Sequence, residues 1–227
     1  MDEIDYGSLY RQTREAMCSF VTGLDDGQLA VRLPAVPEWT ARDAIAHVTG
    51  ICTDILSGNL ADVGSDAWTA AQVVARRGAD VASIVAEWSE VSPQIEAMAG
   101  AAGPEMASLL ISDLVTHDLD VRGAFGDTSA RSSPATALVY DFYATNLGTR
   151  LDGIGAPALR VIADRSEGIV GSGEPAATVR ASRFELIRAL SGRRSAGQIR
   201  AYDWDGDSEP YVEAFAEYPM RGTPLNE

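Results

Sequence analysis

The sequence contains no lysine, and all 18 of its basic residues are arginine. This absence excludes Schiff-base chemistry, a lysine general base and a phosphate-binding loop of the Walker type. Long apolar runs are absent too: none approaches the ~20 residues of a membrane-spanning helix, and the start MDEIDYGS lacks the basic and apolar regions of a signal peptide. We therefore expect a cytoplasmic protein that has no membrane partner.

Positive charge is scarce relative to negative charge. The 227 residues include 33 acidic side chains, which gives a formal net charge of −15. Nucleic-acid binding needs a basic surface, so this balance predicts that no nucleic acid is bound. An anionic ligand would need a local group of arginines, and the densest such cluster is Arg183, Arg188, Arg193, Arg194 and Arg200.

Cysteine is limited to Cys18 and Cys52, and histidine to His47 and His117. Both cysteines lie in apolar, helix-like segments without a metal-type partner at short spacing, so we expect buried free thiols. Each histidine also lies in a helix-like segment, and acidic residues flank it.

Asp113 precedes His117 by four residues, so on a helix the two side chains project from one face, one turn apart, as two ligands of one metal ion must. His47, on a second helix, would complete a set of two imidazoles and one carboxylate with open coordination positions. The alternative is that these histidines are hydrogen-bonded residues of a helical core, because no HExxH or CxxC motif narrows the interpretation.

The hydrophobic pattern predicts an α+β protein with two domains. Residues 1–150 should form an antiparallel four-helix bundle, a fold in which metal sites are built from side chains on facing helices. A fifth helix, over residues 133–150, would cap the bundle or bridge to the next domain. Residues 151–227 show short strands and a helix, which indicates a small α/β domain in which DWDGD forms a tight acidic turn.

Four ordered segments resemble the mycothiol-dependent maleylpyruvate isomerase family, whose helical bundle is related to DinB-like proteins. They are PEWTARDAIAHVTG, DAWTAAQVVARRG with AEW, SDLVTHDLDVRGAFG and ELIRALSGRRSAGQIRAYDWDGD. The resemblance covers nearly the whole chain and implies two cofactors, a divalent metal, commonly zinc, and the thiol mycothiol. The metal-ligand positions of the family fall on His47, Asp113 and His117. The family usually has glutamate as the acidic ligand, so the shorter Asp113 is a departure that would shift the metal or weaken its binding.

The resemblance also implies a functional arginine in the C-terminal domain. Our catalytic candidates are Arg188, from the arginine cluster, and Arg122, which is closer to the predicted metal helix. Asp43 and Asp120 lie about one turn from a histidine and are candidates to orient an imidazole. The alternatives are that Asp43 only caps its helix together with Thr40 and that Asp120 only pairs with an arginine.

The predicted function is that of a metal-dependent, mycothiol-using isomerase or thiol S-transferase that acts on a small electrophile. Metal coordination would deprotonate the thiol, whose ordinary pKa is ~8.5, and the thiolate would add to an activated double bond. One alternative is a metal-binding regulatory or interaction protein of the same fold, without catalysis. Another is a DinB-like hydrolase that uses metal-bound water. The chain is expected to be a monomer or a homodimer.

Overall fold

The helices and strands of the chain belong to two units, Met1–Thr128 and Ser129–Glu227. The computed structural model describes residues 4–215 and 217–227. Mixed helix and sheet content confirms the α+β class. The sequence predicted a division after residue 150, whereas the units divide after Thr128 because the helix Pro134–Ile154 packs against elements of the second unit. None of the described helices is long and apolar enough to cross a membrane.

The first unit is mainly helical. Its helices are α1 (Tyr6–Thr22), α2 (Asp26–Leu29), α3 (Ala41–Ser57), α4 (Asp66–Ala75), α5 (Val81–Ala101) and α6 (Pro104–Ala124). An antiparallel hairpin of β1 (Arg32–Leu33) and β2 (Val36–Thr40) leads directly into α3. Helix α1 packs against α5 and α6, and α3 packs against α4, α5 and α6. The core between these helices includes Met17, Ile45, Ile84, Trp88, Ile95 and Ile111.

A capping box fixes the start of α3, the helix that carries His47. The hydroxyl of Thr40 accepts a hydrogen bond from the backbone N–H of Asp43 at 3.1 Å, and the Asp43 carboxylate accepts one from the Thr40 N–H at 2.8 Å. These reciprocal bonds satisfy two of the backbone donors that a helix start leaves open. Asp43 therefore caps α3 together with Thr40, which is the alternative to a role in orienting His47 that the sequence also offered.

The second unit contains a four-stranded sheet in the order β4–β3–β5–β6, in which β3 and β5 are parallel and the outer pairs are antiparallel. Its strands are β3 (Ala158–Ala163), β4 (Ser166–Val170), β5 (Pro175–Ala181) and β6 (Asp203–Asp205). Its α-helices within the described residues are α7 (Pro134–Ile154), α8 (Arg183–Leu190), α9 (Ala196–Arg200) and α10 (Glu209–Phe215).

The predicted acidic turn at DWDGD is wrong for its first three residues, which form β6. Trp204 explains the difference, because its ring stacks on Tyr211 at 5.8 Å between centroids and meets Phe215 edge-on at 6.0 Å. This packing draws the segment onto the edge of the sheet, where it pairs with β5. The chain turns only at Gly206, whose φ of 104° favours glycine.

Candidate metal centre

Three side chains that the sequence singled out converge in the first unit. His47 lies in the second turn of α3, and Asp113 and His117 lie one turn apart on α6, which packs against α3. The Oδ1 atom of Asp113 lies 3.7 Å from the Nε2 atom of each histidine. One potential ligand atom from each residue lies within 4.8 Å of the other two. The structure therefore brings the predicted ligand set together.

The spacing of these atoms suits a small divalent cation. At 3.7 Å neither imidazole nitrogen is hydrogen-bonded to the Asp113 oxygen. Zinc sites with bonds of about 2.0–2.2 Å place tetrahedral ligand atoms about 3.3–3.6 Å apart, so the two separations from the Asp113 oxygen need to contract only slightly. Both histidines are buried, whereas the Asp113 side chain is 36% exposed. The cluster is therefore accessible on its carboxylate side.

Trp39, near the end of β2, packs against both imidazoles. Its ring centroid lies 4.8 Å from that of His47 and 5.2 Å from that of His117. The two imidazoles are 4.9 Å apart and nearly perpendicular. Because the hairpin runs straight into the capped start of α3, this indole is held beside the histidines and limits access from the hairpin side. Sequence reasoning gave Trp39 no role.

The Nδ1 atoms of the two histidines have different neighbours. His47 Nδ1 lies 2.7 Å from Oε1 of Gln72, a buried residue of α4. His117 Nδ1 lies 3.3 Å from Oδ2 of Asp120, a fully buried carboxylate, but the two groups are not aligned for a hydrogen bond. Asp120 thus lies beside His117, and its role in orienting that imidazole stays a prediction. Gln72 was missed, because a single glutamine on a helix has no recognisable pattern and only the packing of α4 on α3 reveals its position.

Cys52 belongs to a buried hydrogen-bonded group in the core of the first unit. Its Sγ lies 3.1 Å from the hydroxyl of Tyr10, which accepts a hydrogen bond from Nε1 of Trp88 at 3.2 Å. Burial raises the pKa of the Cys52 thiol to about 11, so the thiol is neutral near pH 7. Cys18 is also buried, and both cysteines are free, which confirms the prediction.

Arg122 is buried where α6 meets α1. Its Nε donates to Oδ1 of Asp118 at 2.8 Å, and its Nη2 donates to the backbone carbonyl of Ala16 at 2.9 Å. The guanidinium also lies over the ring of Phe20, 4.6 Å from its centroid. Burial raises the pKa of Asp118 to about 6, against the opposing effect of the Arg122 charge. Five residues separate Arg122 from His117, which places the two about 140° apart around the helix.

Arg188 is fully buried in the second unit. Its Nε and Nη2 donate to the two carboxylate oxygens of Glu227 at 2.6 and 3.0 Å, a bidentate pair. Arg194 donates to the same carboxylate at 2.9 Å and makes a second bidentate pair with Glu185 at 2.7 and 2.8 Å. These contacts stabilise the unit, and the catalytic role of Arg122 or Arg188 stays a prediction.

Comparison with known proteins identifies the family. Residues 10–128, more than half of the chain, match the family model described as "Mycothiol maleylpyruvate isomerase N-terminal domain". The chain belongs to this family. The match includes all three residues of the metal-type cluster and confirms both the resemblance seen in the sequence and the prediction of an enzyme.

Two solved structures share the fold. The crystal structure of the mycothiol-dependent maleylpyruvate isomerase aligns with a TM-score of 0.59 and 12% identity over 83% of this chain and 88% of that one. A mutant of that isomerase, in which one histidine is replaced by alanine, aligns with a TM-score of 0.56 and 10% identity over the same shares. At these identities the likeness concerns the fold alone. A search of curated proteins found no match.

Proposed function

We propose that this chain is a metal-dependent, mycothiol-using isomerase that acts on a small electrophile, with His47, Asp113 and His117 as the metal ligands. The observation that supports it most is the convergence of these side chains from two helices, with 3.7 Å between the carboxylate oxygen and each imidazole. The family and the names of the two fold neighbours support mycothiol and isomerisation. Zinc as the metal, a DinB-like antiparallel arrangement of four helices and a cytoplasmic location belong to the same proposal.

The residues present fit a cation held by Nε2 of His47, Nε2 of His117 and a carboxylate oxygen of Asp113. A divalent cation bound there would lower the pKa of a coordinated thiol from its ordinary ~8.5 and so supply a thiolate nucleophile near pH 7. The side chains around the cluster orient the reacting groups and shield them from one side. Trp39 restricts one side of the imidazoles, and the partly exposed Asp113 marks the side from which thiol and electrophile approach. The neutral, buried Cys52 does not compete as a nucleophile.

The fate of the thiol adduct separates an isomerase from an S-transferase. In both, the sulfur forms a bond to one carbon of an activated double bond, whose electron pair moves onto the activating group. An isomerase lets the new single bond rotate and then expels the thiolate, which restores the double bond in the other geometry and regenerates mycothiol. An S-transferase releases the adduct and consumes one thiol for each electrophile.

The proposal is tested by measuring zinc binding, thiol binding and turnover on the same preparations. The wild type should bind one zinc ion, and only the zinc-loaded protein should bind mycothiol in calorimetry. His47→Ala and His117→Ala should lose both, whereas Asp66→Ala, which removes an exposed aspartate of α4, should lose neither. Many turnovers of maleylpyruvate per mycothiol indicate an isomerase, and consumption of one mycothiol per electrophile indicates a transferase. Equal thiol binding and turnover by zinc-free protein would contradict the proposal.

A further inference from the structure

Gln72 connects His47 to a second residue of the same helix. Its Oε1 lies 2.7 Å from His47 Nδ1, and its Nε2 donates to Oδ2 of Asp54 at 2.7 Å. His47 and Asp54 are two turns apart on α3, and Gln72 reaches both from α4. The other oxygen of Asp54 accepts a hydrogen bond from Nδ2 of Asn59 at 2.8 Å. The side chain of Gln72 is thus held at both ends, and the residue is only 3% exposed.

The acceptor Asp54, at one end of this series of hydrogen bonds, determines which nitrogen of His47 carries the proton at the other end. The ionised carboxylate of Asp54 can only accept hydrogen bonds, so the Gln72 amide must direct its NH₂ group to Asp54 and its carbonyl oxygen to His47. A carbonyl oxygen also only accepts, so a neutral His47 must carry its proton on Nδ1. The lone pair is then on Nε2, the atom that lies 3.7 Å from the Asp113 oxygen.

The packing of α4 on α3 keeps Gln72 in place. A Cβ atom at Gly50 would lie 2.4 Å from Cβ and 2.6 Å from Cγ of Gln72, so only glycine lets α4 approach this closely. Arg76 adds four hydrogen bonds: to the backbone carbonyl of Gln72 at 3.2 Å, to Oγ1 of Thr53 at 2.9 Å, to Oε2 of Glu87 at 2.9 Å and to Oε1 of Glu87. This guanidinium joins α4 to α3 and α5.

We propose that Gln72 is a positioning residue that holds His47 in the tautomer protonated on Nδ1, and that Asp54 sets the orientation of Gln72. Histidines that bind metals generally donate their other ring N–H to a carboxylate or carbonyl oxygen, and loss of that partner weakens metal binding by about 10- to 100-fold. The consequence for metal affinity rests on the metal site proposed above. The tautomer itself does not, because it follows from the hydrogen bonds that Gln72 makes with His47 and Asp54.

Because the chain has only two histidines, the tautomer can be measured directly by ¹⁵N–¹H correlation NMR of the imidazoles. The metal-free protein is studied at a pH where the ¹⁵N shifts themselves show that both rings are neutral. His117→Ala identifies the signals of His47. The wild type should show His47 protonated on Nδ1. Gln72→Ala and Asp54→Asn should populate the Nε2-protonated form. Gln72→Glu combined with Asp54→Asn should keep the Nδ1 proton, because the carboxylate at position 72 can accept from both His47 Nδ1 and the amide NH₂ at position 54.

Zinc affinity, measured by competition with a chromogenic chelator, provides the second readout. Gln72→Ala should bind zinc about 10- to 100-fold more weakly than the wild type while keeping its circular dichroism. Gln12→Ala, which removes an exposed glutamine of α1, is the matched control and should change neither the tautomer nor the affinity. An Nε2-protonated His47 in the wild type, or an unchanged tautomer in Gln72→Ala, would overturn the proposal. Protein that shows the expected tautomers but binds no zinc would instead contradict the metal site.

Discussion

Gly50→Ala should destabilise the first unit although alanine is the better helix former. The added methyl group would lie 2.4 and 2.6 Å from Gln72 and 2.9 Å from Nη1 of Arg76, distances at which α4 must move away from α3. Overpacking of this kind costs about 1–3 kcal/mol, and a lost hydrogen bond of Gln72 costs about 1 kcal/mol more. The helix-propensity gain of about 1 kcal/mol offsets only part of this. We expect a net loss of about 2 kcal/mol in the free energy of unfolding.

Urea denaturation followed by tryptophan fluorescence measures this change. Gly100→Ala, on α5 of the same unit, is the matched control, because its Cβ would come no closer than 4.0 Å to the neighbouring helix, at the backbone nitrogen of Gly7. That substitution should be neutral or should stabilise the protein by up to about 1 kcal/mol. If Gly50→Ala stabilised the protein as much as Gly100→Ala does, the close packing of α4 on α3 would be refuted.

Three further predictions concern buried polar groups. The pKa of Asp118 is raised to about 6 in the folded protein, above the ~3.9 of an unfolded chain, so its contribution to stability is complete below ~3.9 and is lost as the pH rises through 6. The free energy of unfolding of the wild type relative to Asp118→Asn should therefore increase as the pH falls through this window. An unchanged difference in urea titrations would contradict this prediction. Cys18 and Cys52 are buried with raised pKa values, so iodoacetamide should modify neither in native protein near pH 7 and both in denaturant, as mass spectrometry can show. Glu227→Gln removes the carboxylate that pairs with the buried Arg188 and Arg194, and it should lower the free energy of unfolding, measured with heat or urea, by about 3–5 kcal/mol. A loss below ~1 kcal/mol would show that the ion pairs are not formed in solution.

The metal-type cluster could be predicted from the sequence because its geometry is largely local. The i,i+4 spacing of Asp113 and His117 already places both side chains on one face of a helix. The capping box at Thr40 fixes where the helix of His47 begins. Only the approach of α3 to α6, which brings His47 beside the other two side chains, could not be predicted from spacing and required the family segments or the structure.

The partners of the histidines could not be predicted in this way. Gln72 reaches His47 only because Gly50 lets two helices approach closely, and Trp39 reaches both imidazoles only through the turn of a short hairpin. Neither contact corresponds to a periodic pattern of residues that could be recognised in the sequence. The division between the units was misplaced for a similar reason, since periodicity identifies α7 as a helix but does not show which unit it packs against.

The most direct test of the account is the zinc content of purified protein, measured by elemental analysis after exposure to excess zinc and gel filtration. We predict one zinc ion per chain in the wild type, none in His47→Ala or Asp113→Ala, and one in Asp113→Glu, which restores the acidic residue that is usual in the family. A wild-type protein that retains no zinc, or an Asp113→Ala variant that retains a full equivalent, would contradict the assignment of His47, Asp113 and His117 as the metal centre.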